Sequence, residues 1–221
     1  MIDKPLEWTS FDVVNKLRYT IRKNFNIKKI KVGHAGTLDP LATGLLIICT
    51  GKFTKQINDY MGQEKEYTGI IRLGGTTPSY DLETEVYETF ATDHITEEQI
   101  HATTHQFIGD IEQIPPLFSA IKKDGERAYE LARKGEDVTL KSRVVNIREF
   151  EITGIDGNDV HFRVSCSKGT YIRSLAYDFG QALNSGSHLA KLRRTRIGEF
   201  KVDDAVDVEE YVAFLQQQGK S

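Results

Sequence analysis

Apolar and polar positions follow a helical period in some parts of the chain and a strand-like period in others, which predicts a mixed fold. The segment after Thr9 and Ser10 (FDVVNKLRYTIRKN) has the helical period, and the two hydroxyl residues before it are suitable N-terminal caps. The apolar face of this helix consists of Val13, Val14, Leu17 and Ile21. We therefore expect the first helix to bury this face against a sheet.

Three further segments are predicted to be helical. Thr96-Glu97-Glu98-Gln99 has the form of a capping box and begins a helix that runs towards Phe107. Thr170 to Leu183 carries apolar residues at helical spacing and is stopped by Asn184-Ser185-Gly186. Asp207 to Gln218 is predicted to form the last helix.

Branched and aromatic residues indicate the strands. Leu45 to Thr50 and Tyr67 to Leu73 each predict one strand, and Val144 to Cys166 predicts a hairpin that turns at Asp156-Gly157-Asn158. Strands and helices do not alternate as in βαβ units. We therefore expect an α+β fold, in which helices flank a mixed, mostly antiparallel central sheet.

The segment Gly109 to Arg143 differs from the rest of the chain. It contains Pro115-Pro116 and Gly125, a short predicted helix from Ala128 to Lys134, and a basic and polar second half. A lid that closes over a ligand would have this composition. An ordinary surface excursion would have it as well.

Composition narrows the class of protein. The 221 residues are 39% hydrophobic and 28% charged, which excludes a disordered chain, a collagen-like chain and a disulfide scaffold. The longest apolar runs, such as Leu45 to Cys49, are far shorter than the roughly 20 residues that span a bilayer. Cys49 and Cys166 are the two cysteines, and so few favour a reducing compartment. We expect a cytoplasmic globular protein.

The charges are segregated along the chain although the net charge is only −3. Between Asp12 and Asp39 there is no acidic residue, and a second basic run follows at Lys191 to Arg196. Conversely, Leu73 to Ile121 contains no lysine or arginine, and its acidic residues crowd between Asp81 and Glu98. A molecule with a positive and a negative side could steer a polyanion, although several solvated faces would give the same pattern.

The richest chemical motif is Gly33 to Gly44 (GHAGTLDPLATG), directly before an apolar strand. Glycines allow positive φ and the close approach of a ligand, and Pro40 biases Asp39 away from helical geometry. Leu38 and Leu41 could anchor the loop in the core. Asp39 could then be a nucleophile, a base or a metal ligand, or part of a simple Asp-Pro turn.

This motif closely resembles the catalytic loop of the TruB family of tRNA pseudouridine synthases. Other blocks of the chain match the family in the same order: Lys4-Pro5, Thr9-Ser10, Lys65-Glu66-Tyr67, Arg72-Leu73-Gly74, Asp110 to Pro116, Ser119-Ala120, Cys166 to Arg173 and His188 to Arg194. The resemblance implies the pseudouridine synthase fold, with residues 109–143 as an inserted thumb. It also implies isomerisation of uridine-55 in the tRNA T loop.

The resemblance assigns roles to six residues. Asp39 matches the nucleophile, Tyr67 the pocket tyrosine that stacks on the target uracil, and Arg173 the arginine that pairs with the catalytic aspartate. The positions that match the substrate pocket and the contact to the flipped-out nucleotide are His34, Tyr67, Tyr171 and Leu192. Outside the resemblance, Tyr67 could be an ordinary strand aromatic, and Tyr171 and Leu192 could simply pack in the core. Arg173 could bind a phosphate or face solvent.

The resemblance further implies that tRNA is the partner, bound through its T arm, and that no metal or cofactor takes part. We expect a monomer with one catalytic domain over residues 1–221 and no C-terminal PUA domain, and the short Met1-Ile2-Asp3 leaves almost no room for an N-terminal strand. The basic runs, including Lys191 to Arg196, are candidates for contacts to the RNA backbone.

Two other functions remain open at this point. An RNA chaperone that unfolds tRNA would need no active Asp39. A glycoside-type hydrolase would need two facing carboxylates about 5–10 Å apart and would release free uracil.

Overall fold

The computed structural model describes residues 1–119, 122–123, 126–127 and 140–218, which form two compact units. The first unit combines residues up to Tyr67 with those from Leu192 onward, and the second runs from Thr68 to Lys191. The predicted helix from Ala128 to Lys134 lies outside the described residues, as does most of the second half of the predicted thumb.

The first unit packs three helices and short strands around its core. The strands are β1 (Ile2–Lys4), β2 (Val32–His34), β3 (Ala42–Leu46), β4 (Ile48–Thr50), β14 (Phe200–Lys201) and β15 (Val206–Asp207). The helices are α1 (Ser10–Asn24), α2 (Ile57–Gly62) and α5 (Val208–Gln218). Val13 and Leu17 of α1 pack with Val208 and Val212 of α5 against Leu46. The predicted apolar face of α1 is therefore buried.

The second unit contains a long hairpin covered by helices. Its strands are β6 (Gly75–Thr76), β7 (Glu88–Thr89), β8 (Gly109–Gln113), β9 (Lys122–Lys123), β10 (Glu126–Arg127), β11 (Arg143–Asp156) and β12 (Asp159–Cys166). Its helices are α3 (Glu97–Thr104) and α4 (Ile172–Ala182). Phe150 of β11 lies 5.5 Å from Phe179 of α4 and 6.0 Å from Phe162 of β12 between ring centroids. These aromatic contacts fix α4 on the hairpin.

The central sheet is mixed. Two strands, β5 (Lys65–Leu73) and β13 (Ser187–Ile197), each contribute residues to both units, and the strand order is β15-β1-β3-β13-β5-β12-β11-β8, with β14 paired to β13. β11 pairs antiparallel with β12 and with β8, whereas β13 runs parallel to β3. The expected α+β fold with a mixed sheet flanked by helices is confirmed.

Most predicted elements are confirmed. Thr9 caps α1, since its hydroxyl accepts a hydrogen bond from the Asp12 N–H at 3.0 Å while the Asp12 carboxylate accepts from the Thr9 N–H at 2.9 Å. Thr96 caps α3 in the same way, and the hairpin turns between Asp156 and Asp159 as predicted. In the described ranges, no helix has both the length and the apolar character needed to cross a membrane.

Three predicted boundaries differ from the structure. The single strand predicted from Leu45 to Thr50 is two strands, because β3 pairs within the central sheet whereas β4 pairs with β2 in a separate small sheet. The short N-terminus nevertheless forms β1, whose three residues pair with β3 and whose first two also pair with β15. α4 begins at Ile172 rather than at Thr170, since the preceding Tyr171 is extended.

Candidate active site

Asp39 lies on the loop that joins β2 to β3, and neighbouring backbone groups hold this loop on both sides. The buried hydroxyl of Ser10 accepts a hydrogen bond from the Leu38 N–H at 2.8 Å and donates one to the Leu38 carbonyl at 3.1 Å. After Asp39, the Pro40 carbonyl accepts from the Glu7 N–H at 2.8 Å. Leu38 is buried as predicted, whereas Leu41 is only partly buried. The partly exposed carboxylate therefore sits on a fixed backbone.

Lys4 binds the same loop through hydrogen bonds to backbone carbonyl groups. Its side chain is fully buried, and its ammonium group donates to the carbonyls of Trp8 at 2.5 Å, Pro5 at 2.8 Å and Pro40 at 3.4 Å. Burial lowers the pKa of Lys4 from 10.5 to about 8, and the negative charge of Asp39 opposes this change. The Lys4 ammonium and the Asp39 carboxylate therefore attract each other.

Arg194 of β13 is buried beside this loop. Its Nε donates to the Leu45 carbonyl at 2.8 Å, and its Nη2 donates to the Gly36 carbonyl at 3.0 Å. The backbones of β13 and β3 also approach closely here, since a Cβ on Gly44 would lie 2.3 Å from the Arg194 carbonyl oxygen. Gly44 has a φ of +106°, so both its conformation and its surroundings require glycine.

The structure limits which residues of the run Lys191 to Arg196 can act as the predicted candidates for contacts to the RNA backbone. Arg194 is buried, Arg193 forms a paired ion bridge to the Asp3 carboxylate at 2.6 and 3.0 Å, and Arg196 donates to Glu64 at 2.9 Å. The three arginines are therefore bound within the first unit, by carboxylates and carbonyl groups that are distant from them in the sequence. Lys191 remains exposed.

His34 ends β2 and is half-buried. Burial lowers its pKa, the charge of Arg194 lowers it further, and a hydrogen bond with the Gly36 backbone opposes both. The ring is therefore neutral at pH 7. Its Nδ1 is buried, and no hydrogen-bond partner for it lies among the described residues. His34 thus presents a neutral polar group at the start of the Asp39 loop.

Leu192 and Tyr67 lie on the two strands that border this region. Leu192 is opposite Ala42, the first residue after the loop, in the parallel pairing of β13 with β3, and it is half-buried. Tyr67 is a buried residue of β5, the neighbour of β13 in the sheet. The first unit therefore brings together the Asp39 loop, His34 and Leu192.

Arg173 and Tyr171 belong to the second unit, at the N-terminus of α4. Arg173 is buried, so the alternative that it faces solvent is wrong. Its Nε lies 3.6 Å from Asp81 Oδ2, and its Nη1 donates to the Ser79 carbonyl at 3.2 Å. The hydroxyls of Thr77 and Ser79 donate to the Asp81 carbonyl at 2.6 and 3.1 Å, which fixes this turn. The guanidinium is therefore oriented by a carboxylate and a carbonyl.

Asp81 is one of the acidic residues that crowd between positions 81 and 98, and its sequence position predicts no contact with Arg173. It is buried, and its Oδ1 accepts from the Glu83 N–H at 3.0 Å. The only sequence signal is its position after the small polar run Thr76-Thr77-Pro78-Ser79, which is typical of a tight turn. An aspartate in such a turn is exposed as often as it is buried. The sequence therefore could not predict the contact between Asp81 and Arg173.

Tyr171 is held by Gln113, which ends β8 in the first part of the predicted thumb segment. The buried Gln113 side chain accepts from the Tyr171 N–H at 2.7 Å and donates to the Tyr171 carbonyl at 3.0 Å. The Arg143 guanidinium lies 4.5 Å from the centre of the Tyr171 ring and donates to the Gly169 carbonyl. Tyr171 as a whole is half-buried.

Comparisons with known proteins show the family to which the chain belongs. Residues 22–172 match the model of the TruB family pseudouridylate synthase N-terminal domain, and residues 173–220 match the tRNA pseudouridylate synthase B C-terminal domain. A tRNA pseudouridine synthase B of Flavobacterium johnsoniae is 61% identical over 98% of this chain and 95% of that protein. A tRNA pseudouridine synthase B of Phocaeicola vulgatus is 57% identical over 98% of this chain and 92% of that protein.

Solved structures show the same fold. A chain in a Cbf5-Nop10-Gar1 complex has a TM-score of 0.72 and 32% identity over 98% of this chain. A chain in an H/ACA RNP bound to a substrate RNA that contains 2'-deoxyuridine has a TM-score of 0.70 and 29% identity over 99% of this chain. This chain spans 55% and 54% of the length of those two chains.

Proposed function

From its membership of the TruB family of pseudouridine synthases, we propose that this chain isomerises uridine-55 in the T loop of tRNA, with Asp39 as the nucleophile. The chain is an isomerase that belongs to this family. The observation that carries the tRNA assignment is the 61% identity to a tRNA pseudouridine synthase B over nearly the whole of both chains. The position in the RNA and the residue roles are the proposal.

The reaction exchanges one glycosidic bond for another. The bond between N1 of uracil and C1′ of ribose breaks, the base turns, and C5 bonds to C1′. The proton on C5 is lost and N1 gains one, so the reaction is redox-neutral and consumes no second substrate. An anionic carboxylate held against the sugar assists the first step by covalent or electrostatic stabilisation of the developing charge.

The backbone around Asp39 supports this role because it is fixed before RNA binds. Ser10 satisfies both backbone polar groups of Leu38, and Lys4 donates to the Pro40 carbonyl, so the residues on either side of Asp39 cannot shift independently. A nucleophile that is preorganised in this way avoids the cost of reorientation during the reaction. The positive charge of the buried Lys4 attracts the Asp39 carboxylate.

The remaining predicted residues are assigned to the target uracil, to Asp39 or to the neighbouring RNA. Tyr67 is assigned to stacking on the uracil, and Tyr171 and Leu192 to the pocket wall. Arg173, which Asp81 and the Ser79 carbonyl orient, is assigned to pairing with Asp39. His34, neutral and with an unpartnered Nδ1, is assigned to the RNA next to the flipped nucleotide. A T loop suits this mode because its bases can leave the stack.

The test uses a T-arm stem-loop and whole tRNA, each labelled with tritium at C5 of uridine. Formation of pseudouridine replaces the C5–H bond, so the label is released to water while the RNA strand stays intact. Asp39→Ala should abolish release and retain RNA binding, whereas Thr37→Ala, at an exposed position of the same loop, controls for general loop damage. Release that persists in Asp39→Ala would remove Asp39 from the mechanism, and free uracil would indicate a hydrolase instead.

A further inference from the structure

A basic groove opens on the first unit beside the Asp39 loop. It has a volume of about 520 Å³. It lies between the second half of α1, residues 28–33, and the residues Thr54 and Ile57. Its basic lining residues are Arg18, Arg22, Lys28, Lys29 and Lys31. In the part of the chain that the structure describes, no aspartate or glutamate lines it. Five positive charges therefore face one opening.

These charges are not neutralised by neighbouring acids. Arg18 donates to Asn15 Oδ1 and to the Val32 carbonyl, both at 3.1 Å, so neutral groups fix it against the groove wall. Arg22 and the three lysines are exposed, and the described residues offer them no acidic partner in an ion pair. Lys16 on the same helix differs, since it pairs with Glu209 at 3.1 Å.

A group of unpaired like charges favours an extended anionic ligand. Mutual repulsion among the five side chains opposes their close placement, and an anion that neutralises several of them at once relieves it. A nucleic-acid backbone carries one negative charge per nucleotide and gains further from the release of its counterions. Because the groove is open and its lysines are exposed, a ligand that passes along it fits better than one that must be enclosed.

The groove borders the strand that leads into the Asp39 loop. Val32 and Gly33 of β2 line the groove, and His34 is the next residue of the same strand. His34 lies three positions after Lys31, which in extended chain is a distance of about 10 Å. An RNA strand that lies in the groove would therefore reach the Asp39 loop within a few nucleotides.

We propose that this groove binds the phosphate backbone of the substrate RNA beside the target loop and thereby places the uridine at Asp39. This inference rests on the proposed function for the identity of the RNA. The five residues act through position, because contacts to phosphates fix register without reading bases. They are positioning residues and do not take part in the chemistry.

The test compares two double variants that lose the same charge. Arg22→Gln/Lys28→Gln removes two groove residues, and Lys16→Gln/Lys201→Gln removes two residues that do not line it. Fluorescence anisotropy with a labelled T-arm stem-loop gives Kd between about 50 and about 300 mM KCl, and tritium release gives kcat and KM. The groove variant should lose about tenfold in affinity, and the slope of log K against log salt should weaken by about 1.5, since each phosphate contact contributes about 0.7–0.9. Its kcat at saturating RNA should stay within about twofold of the wild type because the chemistry is untouched.

Three results would overturn the proposal: an unchanged Kd and salt slope in the groove variant, an equal loss in the control variant, or a fall in kcat with normal Kd. The proposed function fails separately, if the wild type binds the RNA but releases no tritium from the stem-loop or from whole tRNA. In that case the anisotropy comparison still decides whether the groove binds RNA.

Discussion

The buried lysine beneath the Asp39 loop makes the stability of the protein depend on pH in a specific direction. Lys4 has no exposed surface, and its pKa falls from 10.5 to about 8, chiefly because burial disfavours the charged form. Between these two values the unfolded chain binds a proton that the folded chain has released. The free energy of unfolding therefore rises with pH in this window and falls as the pH is lowered towards 8.

The magnitude follows from the size of the change. One unit of pKa corresponds to about 1.4 kcal/mol, so the full difference is roughly 3 kcal/mol, reached only above pH 10.5. Between about pH 7 and about pH 9.5 the contribution is about 2 kcal/mol. In Lys4→Met this titration is absent, and the three carbonyls that Lys4 bonds lose their donor.

The assay is urea unfolding of the wild type, Lys4→Met and the control Lys52→Met at several pH values in that range. Lys52 is exposed and also carries one positive charge, so its removal controls for net charge. The free energy of unfolding of the wild type should rise by about 2 kcal/mol relative to that of Lys4→Met between about pH 7 and about pH 9.5. A difference that stays constant to within about 0.5 kcal/mol would refute the account of Lys4 as a charge held in a low-dielectric site.

Two further predictions test the region around the Asp39 loop. Gly44→Ala should lower the free energy of unfolding by about 3 kcal/mol or more, because its Cβ would lie 2.3 Å from the Arg194 carbonyl oxygen. Gly51→Ala, which also has a positive φ but nothing within 4 Å, should cost only about 1–2 kcal/mol, and equal losses in urea unfolding would contradict the steric argument. The imidazole of His34 should titrate below its ordinary pKa of 6.5, since burial is the largest influence on it. An NMR titration of the ring protons checks this, and a midpoint above 6.5 would show that the ring is solvated or paired with an acid.

Local sequence was sufficient where the determining contacts are local. The capping boxes at Thr9 and Thr96 join residues three positions apart, and the hairpin turn at 156–158 is set by its own glycine and asparagine, so each could be predicted. The Asp39 loop was identified for a similar reason, because its glycines, proline and carboxylate lie within twelve residues. The prediction of a nucleophile there came from the family resemblance and stays a prediction.

The burial of charged residues could not be predicted, because it depends on partners far away in the sequence. Arg193 pairs with Asp3 across 190 positions, and Arg194 bonds the carbonyls of Gly36 and Leu45 across 158 and 149 positions. On the sequence alone these arginines look like Lys31, which remains at the groove surface. A buried charge persists only where the fold supplies hydrogen-bond partners that replace water. The sequence by itself therefore determined the helices, the hairpin and the reactive loop, and only the tertiary structure decided which basic residues stabilise that loop and which remain free for an anionic partner.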